Sequence, residues 1–279
     1  MSVILFPTDF SGYSENAFQY ILHFADRLRA KIIFQYVMPV SEKTSSKVKK
    51  STAEEDDRYK NALQQIHELK FRAADFAFRQ DCEIVTDHII CEGDAADEIL
   101  KAAKEIKPLM IAISTNGYNA KSTMHVGNTT ATVLKKSKFP MLVIPEHAFY
   151  KKVNNIALVT DLDERDESLI YKLMITAALF KAKVHVFHLD QKKTKGAQQV
   201  VEYLSLVFKY PLQIHKLSFQ PVQSKAIASG IDKYIKQHTV DLLCMEHHKY
   251  FFPELFEVKH ADRKNFQNNI PTLVYYDEI

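Results

Sequence analysis

The 279 residues suffice for two ordinary domains, and 46% hydrophobic with 25% charged residues excludes the disordered and fibrous classes. A net charge of +3 is too small to mark a nucleic-acid binder, whose basic residues would gather on one face. The one dense basic cluster, Lys47, Lys49 and Lys50, is followed at once by Glu54, Glu55, Asp56 and Asp57 and reads as a solvated loop. In chain order, a short apolar run at residues 3–7 predicts a strand ending in Thr8-Asp9. Residues 14–29 place Ala17, Phe18, Ile21, Phe24, Ala25 and Leu28 at helical spacing. A strand near 32–37 and a Ser/Lys-rich loop near 41–51 follow. Residues 54–80 predict a long helix with Leu63, Ile66, Phe71, Ala74 and Phe78 on or near one face. Then come a strand near 83–90, a helix near 95–105, a buried strand at 109–113, a glycine-containing loop, a helix near 129–137 and a strand at 141–144. This alternation predicts an α/β fold, a mostly parallel sheet with helices on both faces.

The second half restates the beginning of the first. Ile4-Leu5-Phe6-Pro7-Thr8-Asp9 returns as Ile156-Ala157-Leu158-Val159-Thr160-Asp161, and without a gap Glu167 matches Glu15, Ala182-Lys183 matches Ala30-Lys31 and Leu189 matches Val37. Lys138-Phe139-Pro140-Met141-Leu142-Val143 likewise returns as Asn269-Ile270-Pro271-Thr272-Leu273-Val274, and Ile99 corresponds to Ile231. A period of about 150 residues is too long for a solenoid and indicates two fused domains, 1–147 and 153–279, joined near residues 146–154.

Ligands of an open parallel sheet bind beyond the carboxyl ends of its strands. Asp9 and Ser114 should both face that crevice. A carboxylate there can accept a hydrogen bond from a ribose hydroxyl or an adenine amine; equally, Asp9, Ser11 and Ser14 are all residue types that cap a helix. The loop Ser114-Thr115-Asn116-Gly117, nine residues, Gly127-Asn128-Thr129-Thr130 is more specific. Its glycines permit close backbone approach, and a helix opened by Asn128 offers free N–H groups to an anion. That describes a phosphate cradle, and two ordinary loop glycines would give the same letters. Lys121 and His125 lie within the same loop.

Pro7-Thr8-Asp9-Phe10-Ser11, Cys91-Glu92-Gly93-Asp94-Ala95, the glycine loop and Phe139-Pro140-Met141-Leu142-Val143-Ile144 together resemble the universal stress protein family. The nucleotide-binding members of that family carry Gly, two residues, Gly, nine residues, Gly, then Ser or Thr. This chain keeps the spacing, with Ser114 for the first Gly and Asn128 for the final hydroxyl residue. The resemblance implies two tandem Rossmann-like sandwiches, of the adenine nucleotide alpha hydrolase-like kind, forming a pseudo-dimer whose last strands, near 141–144 and 273–276, meet. It implies ATP, ADP or AMP as ligand of the first half, with Asp9 and the backbone at Val37 on the adenine and ribose side. Ser114, Gly117, Gly127, Asn128 and Thr129 would lie at the phosphates. The alternative is a ligand-free tandem scaffold in which the loop is residual.

The second half lacks the loop. After a strand at 242–245 it reads Glu246-His247-His248-Lys249-Tyr250-Phe251-Phe252-Pro253, with no later glycine, and Asp161, Asp163 and Glu246 would repel an anion. No nucleotide is expected there. Adjacent His247 and His248, with His260 and Glu246, lack the spacing of a metal site, and Tyr250, Phe251, Phe252 and Phe256 form an aromatic cluster for packing or a partner. Serine-elbow, kinase and P-loop spacings are missing, so the expectation is a non-enzyme with at most slow ATP hydrolysis, acting in the stress response through partners, with a further homodimer open. Cys82, Cys91 and Cys244 are odd in number and lack metal-type spacing, which fits a reducing compartment. With no signal-peptide pattern and no run of about 20 apolar residues, the expected location is the cytoplasm, away from membranes.

Overall fold

The computed structural model describes residues 1–40, 52–115, 128–160, 166–190, 197–208, 217–223, 227–247 and 269–276. The chain divides into two compact units, Met1–Glu146 and His147–Ile279. In the first unit the order is β1 (Val3–Pro7), α1 (Gly12–Leu28), β2 (Lys31–Met38), α2 (Thr52–Gln80), β3 (Thr86–Glu92), α3 (Ala95–Ile106), β4 (Met110–Ser114), α4 (Asn128–Lys136) and β5 (Met141–Ile144). Its strands lie in the order β3-β2-β1-β4-β5, every pairing parallel. All five β4 residues and all four β5 residues are buried, the continuous apolar burial of strands covered on both faces. Chain direction reverses between β1 and β4, so right-handed crossovers put α1 and α2 on one face and α3 and α4 on the other. That reversal is where an open α/β sheet leaves a crevice.

The buried stripe of α2 is Ala62, Ile66, Leu69 and Ala73, whereas Phe71, Ala74 and Phe78 face outward and are exposed. The sequence expectation that put those three with Ile66 is therefore wrong. Small alanines let α2 approach the sheet closely, and the large phenylalanines stay outside, so residue size misleads about the inner face. The predicted loop at 41–51 lies outside the described residues.

The second unit runs β6 (Asn155–Thr160), α5 (Asp166–Phe180), β7 (Lys183–Asp190), α6 (Ala197–Val207), β8 (Leu217–Gln223), α7 (Ile227–His238), β9 (Leu242–Glu246) and β10 (Thr272–Tyr275). Its strand order, β8-β7-β6-β9-β10, repeats that of the first unit, again all parallel. Both units also end their helices alike. Arg29 and Lys107 after α1 and α3, and Lys181 and Thr239 after α5 and α7, adopt left-handed conformations with φ of 49°, 51°, 56° and 50°. A glycine would take that place more cheaply.

The interiors differ. Gln35 on β2 is buried; it donates to the Glu98 carbonyl at 3.0 Å while its own Oε1 has no partner. Its counterpart on β7, with Ile4 set on Ile156, is Phe187, which stacks on Tyr234 of α7 with ring centroids 3.9 Å apart and planes 9° apart. One unit carries an amide through its core, and the other an aromatic pair.

Candidate nucleotide site at the strand ends of the first unit

Beyond β1 the chain makes a tight, hydrogen-bonded turn. Thr8 continues the ladder, its N–H donating to the Gln35 carbonyl at 2.9 Å, and its Oγ1 accepts the Phe10 N–H at 3.0 Å. Asp9 is exposed, and its Oδ1 accepts from both the Ser11 N–H at 3.0 Å and the Ser11 hydroxyl at 2.6 Å. Ser11 is the residue that caps α1, its Oγ accepting from the Ser14 N–H at 3.4 Å. Of the three capping candidates Ser11 is the cap, and Asp9 acts one step back by ordering the turn that presents it.

The turn forces Phe10 into the left-handed region, φ 58°, an outlier for a bulky residue and a form of strain that gathers at functional sites. Its ring lies against Tyr36 with centroids 4.7 Å apart. Alternation along β2 puts Tyr36 on the α1–α2 face and Gln35 and Val37 on the α3 face. Val37 is half-buried, pairs with Cys91 near the carboxyl end of β2, and is followed by Met38, whose carbonyl accepts the Gly93 N–H at 3.1 Å. A Cβ on Gly93 would sit 2.9 Å from Glu98 Cγ, so the loop after β3 takes no larger residue there without displacing that side chain. Asp94 then caps α3, accepting the Asp97 N–H at 3.1 Å.

On the other side of the reversal, Ser114 is the last residue of β4 and is buried. Its carbonyl accepts the hydroxyl of Thr130 at 2.8 Å. Thr130 stands in the first turn of α4, so one buried hydrogen bond fixes the N-terminus of that helix against the end of β4. Asn128 is exposed and Thr129 half-buried at this N-terminus; the first turn carries no acidic residue and the last turn carries Lys135 and Lys136. The unpaired N–H groups of a first turn and the helix dipole both favour an anion here. Gly117, Gly127, Lys121 and His125 lie outside the described residues. Asp9, Val37, Ser114, Asn128 and Thr129 thus all fall at the carboxyl ends of β1, β2 and β4 or at the start of α4.

Beneath the β1 turn, between α1 and α2, is a cavity of about 200 Å³ walled in part by Phe6, Thr8, Phe10, Ser14, Glu15 and Arg72. Glu15 and Arg72 form a two-pronged ion pair, with Nη1 to Oε2 at 2.9 Å and a second contact between Nη2 and Oε1. Arg72 also lies over the Phe18 ring, its Cζ 4.7 Å from the centroid. The guanidinium hydrogen bonds hold the Glu15 carboxyl below its ordinary pKa against the opposing effect of burial. This clamp joins the first turn of α1 to α2 and stiffens the base of the Asp9 turn.

The model of the universal stress protein family matches residues 1–145. This chain belongs to the universal stress protein family. The universal stress protein MJ0577 of Methanocaldococcus jannaschii is 27% identical over 156 residues, 50% of this chain and 93% of the relative. Among solved structures, a universal stress protein from Archaeoglobus fulgidus superposes with a TM-score of 0.72 at 16% identity, covering 98% of each chain. A structure from Pseudomonas aeruginosa, named a putative universal stress protein, reaches 0.58 at 11% identity over 99% of this chain and 93% of the other. The last two matches extend the family's fold across both units.

Within this universal stress protein the second unit alters the same strand end. Thr160 and Asp166 are the counterparts of Thr8 and Ser14. In the first unit Thr8 donates to the Ser14 hydroxyl at 3.2 Å; in the second Thr160 donates to the buried carboxylate of Asp166. His188, in the place of Tyr36, sets Nδ1 3.0 Å from the Thr160 carbonyl. The Ser14 hydroxyl and the Tyr36 ring give way to a buried carboxyl group and an imidazole. At the end of β9, His247 stacks on Tyr276 at 4.9 Å. Among the described residues no group of three or more His, Cys, Asp or Glu side chains is placed to hold a metal, and no helix is long and apolar enough to cross a membrane. Asp161, Asp163, His248, His260 and the aromatic cluster at 250–256 lie outside the described residues.

Sequence reasoning named Thr8 in the strand-end motif, Ser14 as a capping candidate and Thr130 at the start of a helix, but not the bonds they make, and it missed the Glu15–Arg72 pair. Thr130 was legible as a residue at the start of the helix, but its bond back to the strand end was not. Arg72 carried no local signal, since its partner is 57 residues away.

Proposed function

We propose that the first unit binds ATP, ADP or AMP at the carboxyl ends of β1, β2 and β4, and that the occupied protein acts in the stress response by changing its contacts with protein partners. The observation that carries this reading is the bond from Thr130 to the Ser114 carbonyl, which holds an acid-free helix N-terminus beside the β1–β4 reversal. In this reading Asp9 engages the ribose, the backbone near Val37 the adenine, and Asn128 and Thr129 the phosphates, with Gly117 and Gly127 completing the cradle. The second unit binds no nucleotide: it lacks the glycine loop, and the buried carboxyl group of Asp166 stands where the first unit has Ser14. The protein is a binder, with at most slow hydrolysis of its ligand, and its two fused units take the place of a two-chain homodimer. Hydrogen exchange on Met141–Ile144 tests that last point, since these amides should be protected and exchange typical of an open edge strand contradicts it.

Isothermal titration with ATP, ADP and AMP tests the site. Binding to the wild-type chain, weakened at least roughly tenfold by Asp9→Ala, supports it. Absence of heat with all three, together with no nucleotide co-purifying in mass spectrometry, supports a ligand-free scaffold instead.

A further inference from the structure

α5 carries apolar side chains on two opposite sides, with Ser168 and Lys172 also exposed beside the outer one. One side packs inward through Leu169, Ile170, Leu173, Met174 and Ala177. The opposite side carries Tyr171, Ile175 and Leu179 at four-residue spacing, 43%, 68% and 45% exposed. Tyr203 and Leu206 on neighbouring α6 add side chains 55% and 68% exposed. A contiguous apolar stripe on the outer side of a helix marks an interaction surface. In the first unit the same face is polar and largely open to solvent. There the counterparts of the three α5 residues are polar, Gln19, His23 and Arg27, and α2 crosses the helix so that Phe76 packs edge-on to His23 at 4.8 Å. In the second unit the aromatic contact falls at Tyr171 instead, against Phe208 at the end of α6, with centroids 4.8 Å apart. Ile175 and Leu179 remain exposed beyond it.

We infer that this face of the second unit is a homodimer interface, in which α5 packs antiparallel on α5 of a second copy about a twofold axis near Ile175. Two observations select a second copy over another partner. The first is self-complementary charge: the N-terminal turn of α5 presents Glu167, and exposed Lys181 and Lys183 follow its C-terminus. Antiparallel pairing centred on Ile175 sets Tyr171 of one copy against Leu179 of the other and Glu167 beside the other's Lys181 and Lys183, while the helix dipoles oppose. The second is area. The exposed apolar surface of these side chains is on the order of 500 Å², at the upper end for a lone patch and close to the roughly 800 Å² per partner of a standard interface once flanking atoms are included. The interface does not draw on the nucleotide site, so association and nucleotide binding can fail separately.

Sedimentation velocity of the full-length chain over roughly 1–100 μM is the test, the range in which a modest homodimer dissociates. The expected species at the upper end has twice the 32.2 kDa chain mass. Ile175→Lys, at a position already open to solvent, should weaken the dimer at least roughly 30-fold without changing the circular dichroism spectrum. Ile175→Cys in a Cys82→Ser, Cys91→Ser background should form a disulfide-linked dimer on mild oxidation, because the residue meets its own copy at the axis. A chain that stays monomeric throughout overturns the inference. So does a dimer indifferent to Ile175→Lys, or one dissolved instead by Phe71→Lys on the outer face of α2.

Discussion

The two units share a strand order, helix caps at matching positions and a Thr at the end of the first strand, yet they differ in the described residues around that Thr. In the first, Thr8 meets a serine, the adjoining rings are Phe10 and Tyr36, and the interior carries the amide of Gln35. In the second, Thr160 meets the buried Asp166, His188 replaces the tyrosine, and the interior is closed by Phe187 on Tyr234. The lesson is that fold and site separate cleanly after duplication. The sheet needs only continuous apolar strands, which both halves keep, while the proposed phosphate site needs an acid-free helix N-terminus, which the first unit has in α4.

The largest expected effect breaks the comparison at the core. Tyr234→Ala should destabilise the second unit by about 3–5 kcal/mol, whereas Tyr234→Phe should change it by less than about 0.5 kcal/mol, because the buried hydroxyl has no partner to lose. Urea melts followed by hydrogen exchange on β6–β9 against β1–β4 read both variants, and a large loss in Tyr234→Phe contradicts the stacking account. Importing the second unit's carboxyl into the first sharpens the comparison. Ser14→Asp should weaken nucleotide binding about tenfold with the fold retained, checked by titration calorimetry. Unchanged affinity would mean that the carboxyl group is not what separates the two strand ends.

Acidification should affect the second unit through His185. Burial, then the nearby His238 and Lys183 charges, push its pKa below the ordinary 6.5. The folded state therefore takes up its proton less readily than the unfolded chain. The stability tied to His185 is complete above pH 6.5 and is lost as pH falls below it. Thermal melts of wild type and His185→Gln across that range should differ in slope, with the variant flatter; some slope persists from His23 and His88, which are lowered for the same main reason. The smallest effect concerns a shared feature. Lys107→Gly relieves a left-handed cap and should raise stability by about 0.5–1 kcal/mol in a denaturant melt.

The βα alternation was legible because strand runs and helical spacing are local signals, and the two units do share one strand order. Asp9, Val37, Ser114, Asn128 and Thr129 were legible as positions, since strand ends and helix starts fix them. What held those positions was not. The Thr130 hydroxyl reaches Ser114 across a loop, and Arg72 reaches Glu15 from another helix. The face of α2 was misjudged because Ala62 and Ala73 pack inward while Phe71 and Phe78 look outward, an arrangement that depends on how closely the helix approaches the sheet.

Native mass spectrometry of the intact chain with ATP tests the central asymmetry most directly. The account predicts one adenine nucleotide per 32.2 kDa chain, lost in Asp9→Ala and kept in Asp166→Ala. Two nucleotides per chain, or one that survives Asp9→Ala and disappears in Asp166→Ala, would contradict it.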